Sequence, residues 1–233
     1  MKTNFLFFTV FALLVFVQAC KKDDSQTLGA STAPVVKTFI SDAGNDGVII
    51  NSTPKVVQDY YAGGQGKEIT IGWNASGYAM RGFLSFDISS IAPSSENKLV
   101  VDEAVLKVYE ANTNLLPFTA VGARSVVCYL LDYGTLDATD YNMPTKDFCG
   151  TLATASAGVL SEKSLAVNSA LASLLTSNPT TNKFQFRLQF STDDNVSNTG
   201  PLSQAMWNVF AGDETGLLNY RPVIVVKYHY EKK

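Results

Sequence analysis

The sequence predicts an all-β protein, an antiparallel β-sandwich carrying one short helix. Three observations lead there. Several short segments alternate apolar and polar residues in period two, the pattern of strands with one buried face. Turn-forming Gly, Pro, Asn, Asp and Ser clusters separate these segments at sandwich-like spacing. Helical character is confined to Ser169–Thr176, with Asn168 as the candidate N-cap. Strands at this spacing with a single short helix argue against an α/β fold.

Residues 1–19 read as a leader. Lys2 supplies a short positive region, and Phe5–Val17 is almost unbroken apolar sequence, too short to span a bilayer comfortably. It ends in Val17-Gln18-Ala19-Cys20, a bacterial lipobox pattern in which Cys20 is diacylated and becomes the new N-terminus; Gln18 departs from the small residue usual there. Lys21-Lys22-Asp23-Asp24 follows at once and resembles the signal that sends Bacteroidetes lipoproteins to the outer face of the outer membrane. Residues 20–36 are polar, small and proline-bearing, a lipidated flexible tether with no means of burying a core. The acyl chains would be the only membrane attachment.

Residues 37–231 form the domain, about two hundred residues, which suits one sandwich. Val35–Ile40 opens the fold and Gly47–Ile50 continues it across the turn Asp42-Ala43-Gly44-Asn45-Asp46. Lys67–Trp73 follows, with Ile69 and Ile71 inward. Arg81–Ile91 is the organising stretch, a strand that gives way to a loop at Ser89-Ser90: Gly82, Leu84, Phe86 and Ile88 point one way, Arg81, Phe83, Ser85 and Asp87 the other. Ala104–Tyr109 buries Ala104, Leu106 and Val108. Val121–Leu131 is long enough to carry a bend. Lys183–Phe190 is the cleanest alternation, Phe184, Phe186, Leu188 and Phe190 inward against Lys183, Gln185, Arg187 and Gln189 outward. Pro222–Tyr230 closes the sheet, its proline at a first position that owes no ladder bond.

Without the leader, 17 Lys+Arg face 21 Asp+Glu, a net charge of −4 that argues against a nucleic-acid partner. No G-x-S-x-G or H-E-x-x-H motif is present. The one histidine, His229, lies on the terminal strand, and the adjacent acids Asp193-Asp194 lie in a loop, where solvation explains them. The chain therefore reads as non-catalytic, without a cofactor.

Two constellations suit a carbohydrate instead. Tyr60, Tyr61, Trp73, Tyr78 and Trp207 sit in or beside the polar, glycine-rich runs DYYAGGQG, GWNASGYAM and SQAMWNVFAG. Exposed rings of this kind stack on sugar faces at little entropic cost; plugging the end of the core is the alternative for each. Arg81, Lys107, Gln185, Arg187 and Gln189, all outward, would make a basic, amide-lined patch if their strands are neighbours, suited to a uronate polymer. A solvated sheet face accounts for the same residues.

Cys128 and Cys149 stand about twenty residues apart. They either bridge, for roughly 3 kcal/mol in the chain-entropy picture, or serve as a small core residue and a loop thiol. Asp42, Asn45 and Asp46 make an oxygen-rich loop in which Asp42 and Asp46 are candidate ligands for a structural calcium; the spacing is not that of an EF-hand, and an Asx turn is the preferred reading.

Three runs, RGFLSFDISSI (81–91), VDEAVLKVYEAN (101–112) and ETGLLNYRPVIVVKY (214–228), together resemble the DNRLRE-type domains, also classed as carbohydrate-binding module family 96. The resemblance spans residues 37 to 230. It implies a jelly-roll sandwich that binds polysaccharide, with Arg81 at the motif's arginine position, and it fits a surface lipoprotein. A structural or adhesive domain that contacts other surface proteins is the second functional class.

Overall fold

The computed structural model describes residues 33–58, 61–62, 67–114, 124–155, 161–191, 205–211 and 218–233. The leader, Cys20, the Lys21–Asp24 run and Asp193-Asp194 lie outside these residues, as do Tyr60 and residues 121–123 of the strand expected from Val121.

The described chain is mostly antiparallel β-sheet, curled on itself, with one α-helix. In order come β1 (Val35–Ile40), β2 (Gly47–Ile50), β3 (Val56–Gln58), β4 (Tyr61–Ala62), β5 (Lys67–Trp73), β6 (Ala79–Asp87), β7 (Asn97–Asn114), β8 (Val126–Leu131), β9 (Asp147–Ala153) and β10 (Ser161–Ala166). Helix α1 (Asn168–Ser177) precedes β11 (Lys183–Phe190), β12 (Met206–Phe210) and β13 (Val223–Lys232). Hydrogen-bonded neighbours run β1-β13-β7-β12-β5-β6-β11-β8-β9, with β10 on the other side of β7 and β2 on the other side of β6.

Curling brings the two arms of this order face to face. Ser41, just past β1, bridges Phe86 of β6, while its N–H donates to Pro222 O at 2.9 Å and the next N–H, of Asp42, donates to Ser85 O at 2.7 Å. The enclosed space is filled by Trp73, Phe86, Phe184, Phe186, Phe190 and Trp207 with aliphatic neighbours from both arms. All nine residues that alternation places most firmly inside (Leu84, Phe86, Leu106, Val108, Phe184, Phe186, Leu188, Ile224 and Val226) are fully buried. Gly82 is part of that fit: a Cβ there would stand 2.4 Å from Ile69 Cγ2, so only hydrogen lets β5 pack across β6.

Three local expectations are corrected. The N-cap of α1 is Val167, whose side chain accepts no hydrogen bond, and Asn168 is already helical. Ala104–Tyr109 is the middle of a far longer strand, β7, which serves β13, β10 and β12 along its length. Trp207 lies in β12, a strand missing from the expected set, paired with both β5 and β7. Glycine and polar neighbours on either side conceal that short apolar run.

Candidate functional site

The outward residues of β6 and β11 meet, but not water. Arg187 pairs with Phe83 and Tyr129, and Gln185 with Ser85 and Leu131, so these side chains form one continuous face. The segment between β8 and β9 lies over that face. Its Tyr133 and Tyr141 join Ile49, Phe83 and Leu131 in a second apolar cluster, with Leu136 and Met143 packed at the margin.

Three polar members bond to the covering segment's backbone. Gln185 Oε1 accepts N–H bonds from Tyr133 (2.9 Å) and Gly134 (3.0 Å), and its Nε2 donates to Gly134 O (2.9 Å) and Ser85 Oγ (3.2 Å). Arg187 Nη1 donates to Met143 O (2.9 Å) and Tyr141 O (3.2 Å), and Arg81 Nη1 donates to the same Tyr141 carbonyl. The Arg81 guanidinium also lies 4.2 Å from the Tyr141 ring centroid. Buried guanidinium and amide groups are tolerated because carbonyls replace the lost water. The exposed basic patch expected from Arg81, Gln185, Arg187 and Gln189 is thus corrected: all four are buried, and the first three fasten the covering segment.

The aromatic platform divides too. Trp73 is fully buried, stacked on Phe190 at 5.7 Å with the Arg124 guanidinium 4.9 Å from its ring; Trp207 is fully buried beside it in the same core. Tyr78 is exposed, in the tight turn from β5 to β6 that Asn74 closes. Of the residues proposed for ligand contact, Tyr78 and Lys107 keep solvent access, and nothing brings them together.

Lys107 lies on the outer face of the opposite arm, where the register assembles a different set. It faces Ser164 of β10 on one side and Val223 of β13 on the other, while Tyr109 faces Glu162. Lys107 Nζ donates to Glu162 Oε1 at 3.0 Å, and Tyr109 Oη donates to Glu162 Oε2 at 3.0 Å. The lysine ammonium first, with the tyrosine hydroxyl, holds the Glu162 carboxyl below its ordinary range, and the same carboxylate holds the Tyr109 phenol above its own. Tyr220 meets Tyr109 edge-on at 5.2 Å and leans on buried Phe210 at 5.7 Å. Farther along the same face β1 exposes Val36 and Ile40, 63% and 55% accessible, beside half-buried Val223 and Val225. This outer face carries aromatic and charged groups around Lys107 and β-branched residues around Ile40. The period-two pair Lys107 and Tyr109 was legible in the sequence; Glu162 and Tyr220 were not, because SEKSLA lacks apolar alternation and Tyr220 stands in a turn.

The remaining candidates are structural in their local geometry. Asp42 Oδ1 accepts the Gly44 N–H (3.1 Å), Asn45 Oδ1 the Leu136 N–H (2.9 Å) and Asp46 Oδ1 the Ser85 N–H (2.7 Å). Those oxygens are engaged by N–H donors rather than converging on one cation point, and among the described residues no three acids, cysteines or histidines are grouped for a metal. His229 pairs with Asp102 at 3.1 Å, which raises its affinity for a proton. Cys128 and Cys149 are both free thiols. No protein-family model matches the chain, and no curated protein is significantly similar to it.

Proposed function

We propose that this chain is a non-catalytic, polysaccharide-binding lipoprotein displayed on the cell surface, and that glycan is held on the outer face around Lys107, Tyr109, Glu162 and Tyr220. The observation that carries this reading is the Lys107–Glu162–Tyr109 triad beside a second half-exposed tyrosine on the outer sheet face. Tyrosine faces stack on sugar rings, and an ion pair at the surface exchanges readily with hydroxyls: the ammonium donates and the carboxylate accepts. The curled antiparallel sheet is read as the jelly-roll sandwich of carbohydrate-binding module family 96, which the three strand motifs resemble. With Arg81 and Arg187 buried and Lys107 already paired, the face suits a neutral, hydroxyl-rich polymer better than a uronate. Cys20 is the acylated anchor, and residues 21–36 give the domain reach.

Affinity electrophoresis in gels containing neutral or uronate polymers tests this. Retardation is expected with a neutral glycan, with no new reducing ends. Tyr220→Ala and Lys107→Ala should each weaken binding several-fold, about 1 kcal/mol. Release of oligosaccharides would make the chain an enzyme. Retardation by no polymer would favour the second reading, a domain contacting other surface proteins, for which the exposed Val36 and Ile40 on edge strand β1 are the supporting observation.

A further inference from the structure

The β8–β9 ladder is irregular where its two cysteines lie. Val127 pairs with Thr151, Cys128 with Gly150 and Tyr129 with Phe148, which leaves Cys149 as the extra residue of a bulge. Gly150 takes φ +136°, a conformation open to glycine, and this lets the strand step past the unpaired residue. On the outer side of the bulge Phe148 stays with Tyr129, ring centroids 5.4 Å apart. Cys149, next in the chain, turns the other way and packs on the main core, where Cys128 is fully buried. Both side chains therefore belong to the one core cluster, at neighbouring positions of the ladder. Continued in the register of Val127 and Cys128, the ladder would instead have paired Cys149 with Tyr129, on the face opposite Cys128.

We infer that Cys128 and Cys149 form an oxidisable dithiol, a covalent modification site at which a disulfide pins the edge strand β9 to β8. The oxidant is a disulfide, either that of a thiol–disulfide oxidoreductase or a small-molecule disulfide such as oxidised glutathione. Burial and the neighbouring thiol hold the Cys128 proton tightly, so Cys128 is the poorer first nucleophile. Half-buried Cys149 attacks first: its sulfur bonds to one oxidant sulfur, and the other leaves as a thiol after taking a proton. Cys128 then gives up its proton and attacks Cys149 Sγ, expelling the second oxidant thiol. Two protein thiols have lost two protons and two electrons, and the oxidant disulfide has become two thiols.

The test is a non-reducing peptide map of the whole chain after exposure to oxidised glutathione, with alkylation under denaturing conditions so that buried thiols are counted. One linked pair of peptides carrying Cys128 and Cys149 is expected, lighter than the free peptides by two hydrogens. A Cys128→Ala variant should instead hold a glutathione adduct on Cys149 that does not resolve. A Cys149→Ala variant should gain neither bridge nor adduct at Cys128. Site-resolved mapping keeps Cys20 from being confused with either. If both thiols of the wild-type chain are still alkylated after the oxidant, the inference is wrong. The same holds if Cys128 is glutathionylated in the Cys149→Ala variant. The wild-type map decides the matter even if a variant fails to fold.

Discussion

Asp46 is buried in the turn between β1 and β2, with Oδ1 on the Ser85 N–H and Oδ2 beside the Ser41 hydroxyl but lacking a well-formed bond. Burial is the main cause that pushes its carboxyl up from 3.8 to about 7; nearby Asp42 adds to the rise, whereas the Ser41 hydroxyl, the Ser85 N–H and Arg221 oppose it. The folded protein therefore holds a proton that the unfolded chain releases near pH 4. The stability this contributes is complete below the unfolded value and is lost as pH rises through about 7. Asp140, raised by its own burial, and His229, raised by Asp102, slope in the same direction. Urea midpoints should accordingly rise between pH 8 and pH 5, with Asp46 contributing at most about 3 kcal/mol over that interval. Asp46→Asn, which mimics the protonated form, should flatten most of that slope and stabilise the protein at pH 8. An unchanged slope in the variant would mean that Asp46 titrates as an ordinary carboxyl.

Strand β11 shows what one element does when both of its faces are covered. Its inner face supplies Phe184 and Phe186, whose rings meet at 4.4 Å, with Phe86 of β6 6.1 Å from Phe186. Phe186 is fully buried, so Phe186→Ala should cost about 3–5 kcal/mol in denaturant unfolding, the transfer loss plus an unfilled cavity. Lys107→Ala, on a solvated face with a surface ion pair, should cost under about 1 kcal/mol in the same measurement. The pair of variants separates core from surface: a loss of glycan binding in Lys107→Ala without a loss of stability would be a contact effect.

At the scale of the whole molecule, the domain and its anchor are separate physical problems. Among the described residues, the sheet curls until its two arms share one apolar interior. In the proposed lipoprotein, membrane attachment would rest on Cys20 alone, since a tether of this composition has no apolar face to insert. Cells fed a fatty-acid probe should label the wild-type protein and not a Cys20→Ser variant, and protease added to intact cells should remove the domain. Label retained by the variant would end the lipoprotein reading.

The sequence by itself determined the clearly alternating strands and which side of each faces the main core, but not β9, β10 or β12. That information is local: a period of two places Leu84, Phe86, Phe184, Phe186 and Leu188 together whatever the partner strand. Whether the opposite side is wet is not local, and only the tertiary structure decided it. Arg81, Gln185 and Arg187 have the chemistry of a solvated or ligand-binding face, and they are buried because residues 132–146 fold back and offer carbonyls and N–H groups to them. The proximity of Cys128 to Cys149 was equally hidden, since nothing local to either run shows that β9 pairs with β8. Trp73 and Trp207 read as platform aromatics from their polar neighbours, yet β5 and β12 pair directly and carry both rings into the core. Alternation states that two faces exist; what covers each of them is set by segments far away in the chain.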